Sequence, residues 1–254
     1  MIVVLVIVAI VRLRLLNFPL ERDEGEYAYA GQLILDGIPP YQLACNMKFP
    51  GTYLAYAGIM ALFGQTPAGI HFGLLLMTTA TALMLYWLGK KILDEITGAV
   101  AASCFAILAA SPSMLGLSGH ATHFAGFFVT AGVCLMWLAR QNINWLSTFA
   151  LGICFGVAVL MKQHAMVLGA WAGIAFATTC LLKKEHSLSK RIGAVVLCAF
   201  GMILPFAVCC LILWRTGVFR QFWFWTIDYA RQYASVVPVS YAPFFFWHGS
   251  RAAL

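Results

Sequence analysis

Five of the nine acidic residues in this chain fall in one short window, "ERDEGEYAYAGQLILDG": Glu21, Asp23, Glu24, Glu26 and Asp36. Asp23 admits two readings. With Glu26 three residues later it matches a capping box that would start a helix. A carboxylate on a fixed backbone with one spare oxygen can also act as a general base toward a hydroxyl or amine. Lys48 stands alone in "NMKFPG", where the ordinary role of a lysine beside apolar surface is to snorkel. His120 and His123 form an i, i+3 pair at the start of an apolar run, a spacing compatible with metal ligation and with simple local hydrogen bonding. Lys162 closes another apolar run. A charge at mid-bilayer costs ~2.5–3.5 kcal/mol on insertion scales, so this lysine must snorkel or face a polar cavity, where a phosphate contact is open to it.

The elements that hold these residues are set by composition. Of 254 residues, 62% are hydrophobic and only 10% charged, with mean hydropathy +0.87. Soluble domains are roughly 25% charged, so there are too few polar side chains to coat a water-soluble globule, and an all-α integral membrane protein is expected. The net charge of +7 fits Lys and Arg at helix flanks and carries no sign of nucleic-acid binding. Seven of the eight cysteines lie in apolar runs and only Cys45 sits in a polar loop. Without a C-x-x-C pair, neither a zinc site nor a disulfide framework is supported.

A crossing needs about 20 apolar residues, which places about seven transmembrane helices near 1–17, 67–89, 97–117, 120–139, 145–161, 165–182 and 192–214. "MIVVLVIVAIVRLRLL" lacks the basic start and the cleavage site of a signal peptide and reads as the first span. The 145–182 stretch is split at "KQH", Lys162 to His164. Lys90, Lys91, Arg140, Lys183, Lys184, Lys190 and Arg191 then share one side, the cytoplasmic one. The long segments 18–66 and 215–254 fall on the other. Residues 24–36 read as a helix with Tyr27, Gly31 and Ile34 on one face, stopped by Gly37 and Pro39–Pro40. Residues 52–64 are too short to span comfortably and read as an interfacial helix. The aromatic, basic 219–233 suits headgroup level.

Taken together, "RDEGEYAYAGQLILDGIPPY", "NMKFPGTYLAYAGIMALFG", "THFAGFF" and "LMKQHAMVLG" resemble the polyprenyl-phosphate-dependent membrane glycosyltransferases of the GT-C class. The likeness is to the bacterial group that includes protein mannosyltransferase and aminoarabinose transferase relatives, glycosyltransferase family 39-like. The resemblance implies a transferase that moves a hexose or pentose from an undecaprenyl- or dolichyl-phosphate carrier to a lipid, glycan or protein acceptor. Asp23 takes the catalytic base position and Glu24 the neighbouring acid, which orients Asp23 or binds substrate. Lys48 matches the cation that meets the donor phosphate, and His123, rather than His120, becomes a substrate-cavity residue beside Lys162. The one cofactor in question is a divalent metal. Aminoarabinose transferases carry a metal-holding Glu before the lysine, and this chain has Met47 there.

The expected architecture is one transmembrane domain over 1–254 in the inner (plasma) membrane, with its site facing the periplasm or exterior. It is expected to lack the C-terminal portion usual for the group. A non-catalytic family member is the second reading. A transporter or lipid flippase is the third, disfavoured because the polar groups gather at one membrane face rather than at mid-span.

Overall fold

The structure, a computed structural model, describes every residue except 112–114, 183–185, 237 and 253–254. Lys183 and Lys184, two of the expected cytoplasmic lysines, therefore lie outside the described residues. Those described form helices and no strand: α1 (Ile2–Arg14), α2 (Arg22–Leu35), α3 (Gly51–Phe63), α4 (Pro67–Ile92), α5 (Glu95–Leu108), α6 (Ala121–Gln141), α7 (Trp145–Met161), α8 (Ala165–Leu182) and α9 (Leu188–Arg215), then short helical pieces from Phe219 onward. This is an all-α, multi-pass membrane protein.

The helix starts are written locally. Thr66, Asp94, Asn144 and Ser187 each turn a side-chain oxygen onto an otherwise unpaired backbone N–H at the start of α4, α5, α7 and α9, and Pro67 opens α4. Apolar residues cover the outward faces, for example Val167, Trp171 and Ile174 on α8 and Val196, Phe200 and Ile203 on α9. In water such a surface would drive aggregation; against lipid tails it is matched.

A helix stands at each of the seven expected spans. Among the described residues, α4, α6, α8 and α9 are long and apolar enough to cross a bilayer. The other three, α1, α5 and α7, have 13, 14 and 17 residues, about 20–26 Å at the α-helical rise. The expected 97–117 span ends instead at Leu108. A proline follows at 112, a residue type that disfavours helical geometry in the residue before it, and the Leu108 carbonyl accepts the Ser111 N–H at 3.0 Å. The buried Arg12 of α1 reaches the end of α5 and the loop beyond it, donating from Nη2 to Ala109 O and, at 2.6 Å, to Gly116 O.

The core that positions the loops joins Tyr27 and Ala30 of α2, Tyr53, Tyr56 and Met60 of α3, Phe124 of α6 and Met161 of α7. α2 lies directly on α3 because residue 31 is glycine: a Cβ there would sit 2.9 Å from the Ala57 backbone nitrogen. The end of α2 is closed by Gly37 in the left-handed region (φ 79°), with the Gly37 N–H on Ile34 O and the Ile38 N–H on Leu33 O. The tail segment packs back onto the first loop, with Phe222 buried against Tyr41, Phe49 and Leu213.

Candidate functional site

The site begins at the cap of α2. Glu21 is the N-cap: its carboxylate accepts the Asp23 N–H at 2.8 Å, and the Glu24 carboxylate accepts the Glu21 N–H at 3.0 Å. The capping box expected at Asp23 and Glu26 is thus formed two residues earlier, because the helix starts at Arg22 rather than at 24. Asp23 and Glu26 are released from capping, and both turn to Lys48.

Lys48 Nζ lies 3.2 Å from Asp23 Oδ2 and 3.3 Å from Glu26 Oε2, and 4.6 Å over the Tyr27 ring. Glu26 Oε1 also accepts from Asn46 Nδ2 at 2.6 Å and from the Tyr53 hydroxyl at 3.2 Å. The loop carrying the lysine is irregular but pinned: Tyr41 donates to Lys48 O at 2.8 Å, and Gln163, in the turn between α7 and α8, donates to Met47 O at 2.7 Å. Partial burial pushes the Asp23 carboxyl up, but its contacts with Lys48 and Arg22 and the charge of His120 hold it below its usual value. Burial pushes the Lys48 ammonium down, and Tyr27, Glu26 and Asp23 together hold it above its usual value. The pair therefore stays ionised across the neutral range.

Glu24, one residue on, is in the opposite surroundings. It has no exposed surface. Its oxygens accept the Gly119 and Glu21 N–H groups, and His71 Nε2 of α4 lies 3.3 Å away. Burial pushes this carboxyl up, and the His71, Gly119 and Glu21 contacts outweigh it and bring it down. His71 Nδ1 is 2.8 Å from Leu16 O, and since a carbonyl only accepts, Nδ1 carries a proton. Glu24 thus fastens the start of α2 to α4 and to the loop before α6.

The remaining sequence candidates separate. His120 comes to the carboxylates, with Nδ1 3.8 Å from Asp23 Oδ2 and Nε2 3.4 Å from Glu21 Oε2. His123 lies one turn further into α6, where its buried Nδ1 has no hydrogen-bond partner. Lys162 donates to Thr122 Oγ1 at 2.7 Å and, with His164 and Thr130, lines a cavity of about 400 Å³ between α6 and α8. A second cavity of about 470 Å³, almost wholly apolar, runs between α7, α8 and α9 past Met202, Phe206 and Trp223 to Phe49, the residue after Lys48. Donors for a metal do not converge: no group of three His, Cys, Asp or Glu among the described residues could hold one, and position 47 offers only a thioether. Sequence reasoning missed Arg12 and His71; each is an ionisable side chain within an apolar helix, which is the signal that could have found them.

Residues 48–214, or 167 of the 254, match the family of dolichyl-phosphate-mannose-protein mannosyltransferases. The chain belongs to this family. It is a membrane mannosyltransferase-like glycosyltransferase, of a family that implies a lipid-linked sugar donor and an acceptor. The matched stretch begins at Lys48 and ends with α9, so Asp23 and Glu24 precede it. No solved structure matches the chain.

Proposed function

We propose that this glycosyltransferase takes its sugar from a polyprenyl-phosphate carrier and passes it to an acceptor hydroxyl or amine at the extracytoplasmic face. The observation that carries the reading is the 3.2 Å contact between Asp23 and Lys48, a base beside a fixed cation, one residue along the chain from Phe49, which lines the apolar cavity. In the reaction the acceptor oxygen or nitrogen forms its bond to the anomeric carbon as the bond from that carbon to the phosphate oxygen breaks. Asp23 takes the acceptor proton. The lipid phosphate leaves with one more negative charge, which Lys48 meets as it develops. The apolar cavity suits a polyprenyl chain, because the carrier's tail then stays among apolar side chains while its phosphate reaches the lysine.

Glu24 acts in this scheme by orienting the first turn of α2, since its oxygens are already engaged. His123 and Lys162 stand apart from the Asp23–Lys48 contact and would serve substrate away from the reacting bond, Lys162 from its own cavity. The exterior placement in the inner (plasma) membrane is supported by Lys90, Lys91, Arg140 and Arg191, which lie at the opposite helix ends from Asp23. The test is sugar transfer in membranes from a panel of polyprenyl-phosphate sugars, comparing the wild type with Asp23→Asn. Transfer from at least one donor that the variant fails to support is expected. Equal transfer by the two proteins would remove Asp23 as the base.

A further inference from the structure

We propose that His120 relays the proton that Asp23 receives, passing it across its ring to Glu21 and so to solvent. The inference rests on the reading of Asp23 as the base and concerns what happens next. A base held ionised by Lys48 and Arg22 binds a proton weakly, and turnover requires that the proton leave. His120 is the side chain placed between Asp23 and a second, more exposed carboxylate: Nδ1 faces Asp23 Oδ2 at 3.8 Å and Nε2 faces Glu21 Oε2 at 3.4 Å. Apo contacts between catalytic groups are often this loose and tighten when substrate is bound.

The placement is built. His120 occupies the N-cap of α6, a position that favours Ser, Thr, Asp or Asn, and its side chain makes no cap bond. The residue before it is locked on both sides. The Gly119 N–H is given to Glu24, and its carbonyl accepts the Tyr56 hydroxyl at 2.7 Å. A Cβ at 119 would collide with that same hydroxyl, so only glycine lets the loop pass this close. The His120 N–H is bonded to Ser118 O at 2.9 Å and its carbonyl accepts the His123 N–H at 2.9 Å. The backbone is satisfied on every side, and the ring, with Nε2 buried yet in no hydrogen bond of good geometry, is left to the carboxylates.

The steps balance. The acceptor proton goes to Asp23; protonated Asp23 gives it to Nδ1; the Nε2 proton passes to Glu21, which yields it to water. The ring ends as the other neutral tautomer and Asp23 returns to its ionised form; before the next turnover exchange with water resets the ring, giving a proton to Nε2 and taking the one on Nδ1, with no oxidant or metal required.

The experiment compares full-length wild type, His120→Ala, His120→Gln and Asp23→Asn for transfer from a polyprenyl-phosphate sugar, with and without added imidazole. The relay predicts that kcat of both His120 variants falls about ten- to a hundredfold while KM for the donor stays within about twofold. It also predicts that imidazole restores the His120→Ala rate in proportion to its concentration and leaves Asp23→Asn unchanged. A His120→Ala rate within twofold of wild type, or a loss that imidazole does not restore, overturns the relay. If His120→Ala fails to fold, His120→Gln decides: an unchanged kcat overturns the proposal and a lowered kcat at constant KM supports it. Full activity of Asp23→Asn would instead overturn the base on which the relay rests, so the two failures are distinguishable.

Discussion

The molecule uses one set of ingredients twice. At one end, Lys48 meets Asp23 and Glu26 with its ammonium 4.6 Å over Tyr27. At the other, Lys90 meets Glu95 at 3.0 Å with its ammonium 5.8 Å over Tyr86, and the Tyr86 hydroxyl donates to Glu95. The second group comes from the end of α4 and the start of α5 and spans ten residues of sequence; Glu95 is 67% exposed. The first draws Asp23, Glu26, Tyr27 and Lys48 from a helix start and a pinned loop, and Lys48 is 27% exposed. An exposed local pair contributes little and is screened by salt. A half-buried pair assembled from separate elements holds charges where the surroundings can sharpen them. The contrast teaches that the residues alone do not mark a site; what distinguishes it is how much of the fold is engaged in keeping them together.

The largest expected effect is on activity. Lys48→Met should lower kcat/KM by about 10²–10³, the scale of losing one fixed charge-stabilising group, whereas Lys90→Met should leave transfer within about twofold. Steady-state transfer assays on both variants would break the comparison if they responded alike.

Next comes stability. Glu24→Leu leaves His71 and the Gly119 N–H buried without their carboxylate, and breaking a buried pair costs about 3–5 kcal/mol. Thermal unfolding in detergent should show a marked drop for this variant and no measurable change for Glu95→Leu.

The response to pH sharpens the contrast further. Asp23 is held below its usual 3.8, so its contribution is complete above that value and is lost as pH falls below it, through the lowered pKa. Lys48 is held above its usual 10.5, so its contribution is complete below that value and is lost as pH rises through the raised pKa. Unfolding temperatures compared between the wild type and Lys48→Met should therefore differ by a constant amount between about pH 5 and pH 9 and converge only at the extremes. A difference that titrates near pH 7 would contradict the assignment.

The smallest effect is that of salt. Raising ionic strength to about 1 M, where the screening length is about 3 Å, should weaken the Lys90–Glu95 pair more than the Lys48–Asp23 pair, as read by double-mutant cycles at low and high salt.

Much of this was legible in the residues. Long apolar runs broken by "KQH" and by Gly and Pro mark helix boundaries directly, and α7 and α8 begin and end at the expected residues. The clustering of carboxylates in the first loop and the lone Lys48 singled out residues that the fold brings into contact. What was not legible depended on choices between neighbours. The capping box has two overlapping solutions in "ERDEGE", and only packing of Glu24 against His71 and Gly119 selects the earlier one. His120 and His123 are one turn apart, and which of them meets Asp23 is decided by how the loop at Gly119 enters α6. At the early end of α5 the Ala109 carbonyl is met by a guanidinium arriving from α1, a long-range contact that periodicity cannot register.

The most direct measurement is kcat/KM for sugar transfer by Asp23→Asn beside Glu95→Gln, with both variants shown to be folded. If the reaction centre lies at the Lys48 cluster, Asp23→Asn loses about 10²–10⁴-fold and Glu95→Gln stays within twofold of wild type. Transfer by Asp23→Asn at the wild-type rate would contradict the account.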